Sequence, residues 1–201
     1  MEQLSMELDL KPGRQWPRPQ LPAGYSIRSW LPGRGDGVAW CRCCLEGSLG
    51  VGEPSEAEFE RIMLGDPSVV PDNVLLLFDP DGEAAGTVTI QTPPDQPDRL
   101  LLHMVAIAPR WRGRGLSLPL NATALERMLN GSYVEPRPKA APRYVRLLTD
   151  DWRLPAIRSY LRLGFEPLVP NGESDLQARW DAVYARISAD RAAGETGGGR
   201  A

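Results

Sequence analysis

Residues 105–120, VAIAPRWRGRGLSLPL, carry the strongest pattern in the chain. They begin at the end of an apolar, strand-like run, RLLLHMVAIA, and then composition, charge and period change together. Arg110, Arg112 and Arg114 alternate with Trp111 and Gly113 as far as Gly115. Beyond it Leu116, Leu120, Leu125, Met128 and Leu129 recur until Gly131, the spacing of an amphipathic helix. A strand that turns into a helix presents unpaired backbone N–H groups at the helix N-terminus, where they and the dipole attract anions. Gly113 and Gly115 let the main chain approach a ligand with no β-carbon between. The arginines surround the turn with permanent charge suited to phosphate oxygens. The turn therefore predicts a diphosphate site. It is not a P-loop, because no Gly-Lys-Ser/Thr follows, and it lacks the three-glycine spacing of the dinucleotide fingerprint.

Upstream, NVLLLFD, AAGTVTIQT and RLLLHMVAIA are three strand-like runs separated by the turn sequences PDG and PPDQPD, which predicts an antiparallel meander. Before them GYSIRSWL predicts a short strand. DGVAWCRCCLEGSLG predicts a helix started by Asp36 and stopped at Gly47 or Gly50. SEAEFERIML predicts a second helix, with Ser55 and Glu58 as a capping box. Downstream come a strand (RYVRLLTD), a helix between Pro155 and Gly164, and a short strand (FEPLV). In SDLQARWDAVYARISADRA, Leu176, Trp180, Val183, Tyr184 and Ile187 form one stripe of a final helix. The expected organisation is a Pro-rich extended leader (1–23), one α/β domain (24–170), a C-terminal helix packed on it (171–193) and a disordered tail (194–201).

With 201 residues and 42% apolar positions, the chain suits a single domain with a full core. A net charge of −3 argues against a nucleic-acid or anionic-membrane binder, so an anion site must be a local concentration of basic groups. There is neither an apolar run of membrane-spanning length nor the pattern of a signal peptide, which leads to the expectation of a cytoplasmic protein. Cys41, Cys43 and Cys44 have no second ligand pair nearby, so small buried thiols are expected rather than a metal site.

VAIAPRWRGRGL resembles the acyl-coenzyme A signature of the GNAT superfamily of N-acetyltransferases, with Arg110, Gly113 and Gly115 filling its Arg-x-x-Gly-x-Gly core. The later stretch AIRSYLRLGF, residues 156–165, is similar to the superfamily's second signature. Two signatures in this order of elements are far more specific than either alone. The resemblance implies a mixed, mostly antiparallel sheet with helices on both faces and a cleft opened between two central strands. It also implies acetyl-coenzyme A as co-substrate, with no metal, and an acetyl group passed directly to an amine of a small molecule or peptide. The segment matching Val105, Ala106 and Ile107 would hold the pantetheine arm and the thioester oxygen. Arg110 and the main chain of Arg112, Gly113, Arg114, Gly115, Leu116 and Ser117 would hold the diphosphate.

Tyr160 matches the superfamily's tyrosine that gives a proton to the leaving sulfur, and a phenol with a pKa of about 10 is suited to giving one. Where many relatives place a glutamate base this chain has Leu101; His103, two residues along the same strand face, is the candidate base. Asp98 or a water relay is the alternative. Arg153 stands where many relatives have an asparagine, and Pro119 is expected to kink the first turns of its helix. A non-catalytic coenzyme-binding or partner module is the rival class. The C-terminal helix, in place of the usual closing strands, leaves a dimer surface open.

Overall fold

The structure, a computed structural model, describes residues 2–11, 17, 19–45, 49–96, 98–133 and 142–197, with the backbone alone for 191–197. In chain order the elements are β1 (Leu4–Asp9), β2 (Ser26–Ser29), α1 (Asp36–Cys44) and α2 (Glu56–Phe59), which continues as a π-helical turn (Glu60–Leu64). Then come β3 (Val69–Phe78), β4 (Ala84–Gln91), β5 (Arg99–Ile107), a 3₁₀ turn (Pro109–Trp111) and α3 (Ser117–Leu129). The chain continues with β6 (Tyr144–Thr149), α4 (Leu154–Arg162), β7 (Glu166–Pro167) and α5 (Ser174–Gly197). It divides into a larger unit, residues 9–146, and a smaller one, residues 1–8 and 147–201.

In the larger unit β2, β3, β4 and β5 follow one another as antiparallel neighbours, and the start of β6 lies parallel to β5. This is the meander expected from its turn sequences. Trp40, Cys41 and Cys44 from α1, with Phe59 and Met63, pack on the sheet face that carries Val74, Leu76 and Ala106. The opposite face receives α3. A β-carbon on Gly86 would lie 3.4 Å from Leu120 of that helix, and Gly86 is paired with Leu77, one step out of phase with Leu76. Helices therefore cover both faces of this sheet.

The same added β-carbon would meet the Ala106 carbonyl oxygen and Ile107 Cδ1, each at 2.7 Å. A backbone oxygen cannot swing aside as a side chain can. Gly86→Ala is therefore expected to cost about 1–3 kcal/mol of stability, the range of overpacked cores, and urea unfolding measures it; an unchanged midpoint and slope would show that the strands separate freely here.

Local chemistry explains the early helices. Ser55 caps α2 by accepting from the Glu58 N–H at 3.0 Å. The return arm of the predicted capping box is missing, because the Glu58 carboxylate is held by Gly52 N–H at 2.7 Å and by Arg61. Asp36 does not cap α1 either: its buried carboxylate accepts from Leu31 N–H and from both Arg28 terminal nitrogens. Burial pushes the Asp36 carboxyl up, but these hydrogen bonds outweigh it and the net shift is downward. All three cysteines are free and buried, and burial raises the Cys43 thiol to about 12. Gly47, one of the two expected stops for α1, lies outside the described residues.

In the smaller unit the strand order is the end of β6, then β1, then β7. β1 pairs antiparallel with β7 through Met6↔Pro167 and Glu7↔Glu166. The stretch expected as an extended leader, residues 1–23, thus contains a strand of the sheet. Leu4, Met6 and Leu8 are buried to within 1%, an alternation that places one apolar row in the core while the polar residues face out. The first strand of the chain thus occupies the place between β6 and β7. Trp180, Val183 and Ile187 of α5 are buried as expected, whereas Tyr184, in the same stripe, is 39% exposed. The helix runs on to Gly197, past the expected end at residue 193, so that residues 194–197 are helical; the rest of the expected tail, 198–201, lies outside the described residues. Among the described residues no helix is long and apolar enough to cross a membrane.

Candidate functional site

The larger unit carries the turn predicted to hold phosphates. β5 ends with the Ala108 N–H donating to the Ala85 carbonyl at 2.9 Å, and Pro109 starts the 3₁₀ turn. Trp111 closes this turn and is buried, its Nε1–H donating to Asp79 Oδ2 at 3.1 Å. Asp79 Oδ1 in turn accepts from the N–H groups of Asp81 and Glu83, within the β3–β4 hairpin. Burial opposes ionisation of Asp79, yet these donors hold its pKa below the ordinary value. The hairpin thus anchors the far side of the turn through one buried indole.

After Trp111 the chain needs two left-handed residues, and it has glycine at both: φ is +77° at Gly113 and +74° at Gly115. A β-carbon at either would meet nothing within 4 Å. Their absence therefore leaves open space beside the main chain. α3 begins just beyond, and no side chain caps its N-terminus. Pro119 is buried in its first turn, where the N–H it lacks has no helical partner to lose. The expected kink has no cause there.

The arginines divide. Arg110 is paired with Glu83 and lies over the Trp111 ring, so its charge is already met by a carboxylate. Arg112 donates through Nε to the Ile107 carbonyl at 3.0 Å, and Arg114 reaches the Tyr25 hydroxyl at 3.4 Å. Both partners are neutral, so these two carry net positive charge at the turn.

One strand back, β5 departs from a regular ladder. Its pairing with β4 jumps from Thr87↔Ala106 to Thr89↔His103, so Met104 and Val105 share the space opposite Val88. Met104 sits at φ +47°, a left-handed conformation that costs a methionine energy. Pairing between β5 and β6 covers Arg99, Leu100 and Leu101 and stops. Ala106 faces its β4 partner, its carbonyl lying against Gly86. Strand alternation then turns the main-chain groups of Val105 and Ile107 to the opposite edge.

His103 lies on the α1/α2 face of the sheet, opposite Thr89 and beside Gln91. It is half-buried, and desolvation lowers its pKa while the charge of Asp66 raises it; the net shift is downward. Asp66 is fixed by Ser68, through N–H and hydroxyl, and by Gln91 Nε2 at 2.8 Å. The Thr89 hydroxyl is fully buried and has no hydrogen-bond partner among the described residues. Neither Asp66 nor Thr89 stood out in the sequence, because a network joined across a loop and two strands has no fixed spacing. Among the described residues no group of acidic, histidine or cysteine side chains is arranged to hold a metal.

Tyr160 belongs to the smaller unit. It is 4% exposed, stacks edge-on against Phe165 with ring centroids 6.0 Å apart, and burial raises its pKa. Arg153 precedes α4 and is paired with Asp150.

The larger unit thus combines a meander ending in a bulged strand, a glycine turn and an uncapped helix. The sequence profile of the acetyltransferase (GNAT) family matches residues 39–165, and the chain belongs to that family. Solved structures agree on the fold. A GCN5-related N-acetyltransferase from Sphaerobacter thermophilus is 22% identical with a TM-score of 0.57, over 83% of this chain and 48% of that one. The tandem GNAT protein from the clavulanic acid biosynthesis pathway is 24% identical with a TM-score of 0.59, over 83% and 50%. A GCN5-related N-acetyltransferase from Kribbella flavida is 18% identical with a TM-score of 0.51, over 83% and 55%. The chain thus spans about half the length of these relatives. No curated protein matches it.

Proposed function

We propose that the protein transfers an acetyl group from acetyl-coenzyme A to a primary amine of a small molecule or peptide, by direct attack in a ternary complex. The turn from Arg112 to Ser117 carries this reading. Its two left-handed glycines leave room beside the main chain at an uncapped helix N-terminus, with Arg112 and Arg114 adjacent. That is a setting for a diphosphate rather than for a bare surface loop. Arg110, held by Glu83, serves the turn's shape more than the anion. On β5 the groups offered to a pantetheine arm and thioester oxygen are those of Val105 and the N–H of Ile107, since Ala106 is spent on Thr87 and the Ile107 carbonyl accepts from Arg112.

In the reaction the amine nitrogen attacks the thioester carbon, the C–N bond forms, and the C–S bond breaks. His103 takes the proton lost by the amine, directly or through one water. Its lowered pKa favours the neutral imidazole, the form that accepts. Tyr160 gives its proton to the departing thiolate. No acyl-enzyme is involved, and the cysteines, buried with raised pKa values, are poor nucleophiles.

Isothermal calorimetry with acetyl-coenzyme A tests the turn. The Gly113→Ala/Gly115→Ala double variant adds β-carbons that meet no neighbour but are strained at positive φ; with its fold checked by circular dichroism, it should bind at least about tenfold more weakly, as expected when hydrogen bonds to a charged group are lost. Equal affinity in the folded variant would remove the basis for the assignment. A second reading, a coenzyme-binding module without catalysis, is favoured by Leu101, an aliphatic side chain paired with Gln91 where many relatives have a glutamate. Coenzyme binding without turnover of amino acids, polyamines or peptide N-termini would select it.

A further inference from the structure

The larger unit also has a cavity of about 390 Å³, lined by Ser29, Asp72, Asn73, Arg127, Ser132 and Tyr133 among others. It opens beside the last turn of α3. Ser117 and Arg127 stand about 15 Å apart at the helical rise, and α3 covers the sheet face opposite to His103. The cavity is therefore separate from the site described above.

Its polar groups are arranged around one cation. The Ser29 hydroxyl gives its single proton to the Asp72 carbonyl at 2.6 Å, which leaves its lone pairs to accept from Arg127 Nη1 at 3.0 Å. The guanidinium is thus aimed by a fixed acceptor while most of its five N–H donors remain uncommitted. Three other half-buried arginines are treated differently: Arg28 is paired with Asp36, Arg153 with Asp150 and Arg179 with Asp151. Among the described residues no carboxylate pairs with Arg127. Burial accordingly pulls its pKa down.

We infer that this cavity binds a small monocarboxylate, held by the Arg127 guanidinium fork. A cavity of this volume lies in the range of small-molecule sites, and a carboxylate matches the planar fork with two parallel hydrogen bonds. The ligand carries a single negative charge. One guanidinium balances one carboxylate, and Asp72 on the same lining opposes a second.

The test is titration of the ¹⁵N-labelled full chain with sodium acetate, sodium sulfate and sodium chloride at equal ionic strength, following the Arg127 Nε–H resonance, which Arg127→Lys identifies by its loss. Acetate is expected to shift it saturably, sulfate less strongly, and chloride not at all. Ser132→Phe, which puts a bulky ring at the exposed rim, is expected to obstruct the cavity and weaken acetate by about tenfold, while the circular-dichroism melt is unchanged. A shift that chloride reproduces, tighter binding of sulfate than acetate, a response that does not saturate, or an acetate affinity untouched by Ser132→Phe would each overturn the assignment. Because none of these readouts involves acetyl-coenzyme A, failure here is distinguishable from failure of the transferase reading.

Discussion

His103→Ala is expected to lower kcat/KM for acetyl transfer by about a hundredfold or more, the range in which a positioned general base contributes, with little change in acetyl-coenzyme A affinity. The residue sits beside the bulge in β5, on the face that also carries Thr89 and Gln91. The pH dependence separates catalysis from packing. Burial lowers the imidazole pKa below its ordinary 6.5, so if His103 is the base the acid limb of kcat/KM in the wild type is expected below that value. The charge of Asp66 opposes this shift, so Asp66→Asn should move the limb to still lower pH rather than abolish activity. The stability linkage has a definite sign as well. A histidine with a depressed folded pKa contributes stability that is fully present above the unfolded value of about 6.5 and is lost as pH falls through the folded pKa. His103→Ala should flatten that slope in the melting temperature. A variant that retains wild-type kcat/KM with an unshifted limb would assign the proton to water or to another group.

Much of this arrangement is local and therefore legible before folding is considered. The turn of Arg112 to Ser117 is written as glycines at the two positions whose φ is positive, between a strand period and a helix period. Ser55 caps α2 as its spacing from Glu58 announces. What was not legible depends on partners distant in the chain. Glu58 turns to Gly52 and Arg61 instead of closing its box, because a nearby N–H and a guanidinium compete for one carboxylate. Glu83 claims Arg110, and Asp79 claims Trp111, through a hairpin that the charge pattern does not name. The bulge at Met104 leaves no residue-type signature; it is a matter of register with β4. Leu4, Met6 and Leu8 are the opposite case. Their alternation was there to be seen, but Pro12, Pro17, Pro19 and Pro22 follow close behind and suggest a leader. The strand forms ahead of them all the same, over Leu4–Asp9.

Tyr160→Phe is expected to reduce kcat by about a hundredfold, as for loss of a positioned general acid, while the affinity for acetyl-coenzyme A and the melting temperature stay close to wild type. The substitution removes only the hydroxyl. Its ring keeps the edge-on contact with Phe165, so the packing of α4 is retained and a loss of rate is not a loss of fold. Burial raises the phenol pKa above its usual 10, which keeps the proton on the oxygen throughout the pH range of the assay. The group can therefore donate but cannot act as a base near neutrality, and the variant's pH profile should keep the wild-type shape at a lower plateau. In the proposed reaction two residues with opposite demands are served by one physical effect. Desolvation disfavours the charged form of each, leaving the histidine free to accept and the tyrosine ready to give. Measuring kcat and KM for acetyl-coenzyme A in His103→Ala, Tyr160→Phe and the double variant decides whether they act in one reaction. If both steps share a transition state, the combined loss is smaller than the product of the single losses. A double variant whose loss equals that product, or a Tyr160→Phe protein with wild-type kcat, would detach the tyrosine from the chemistry.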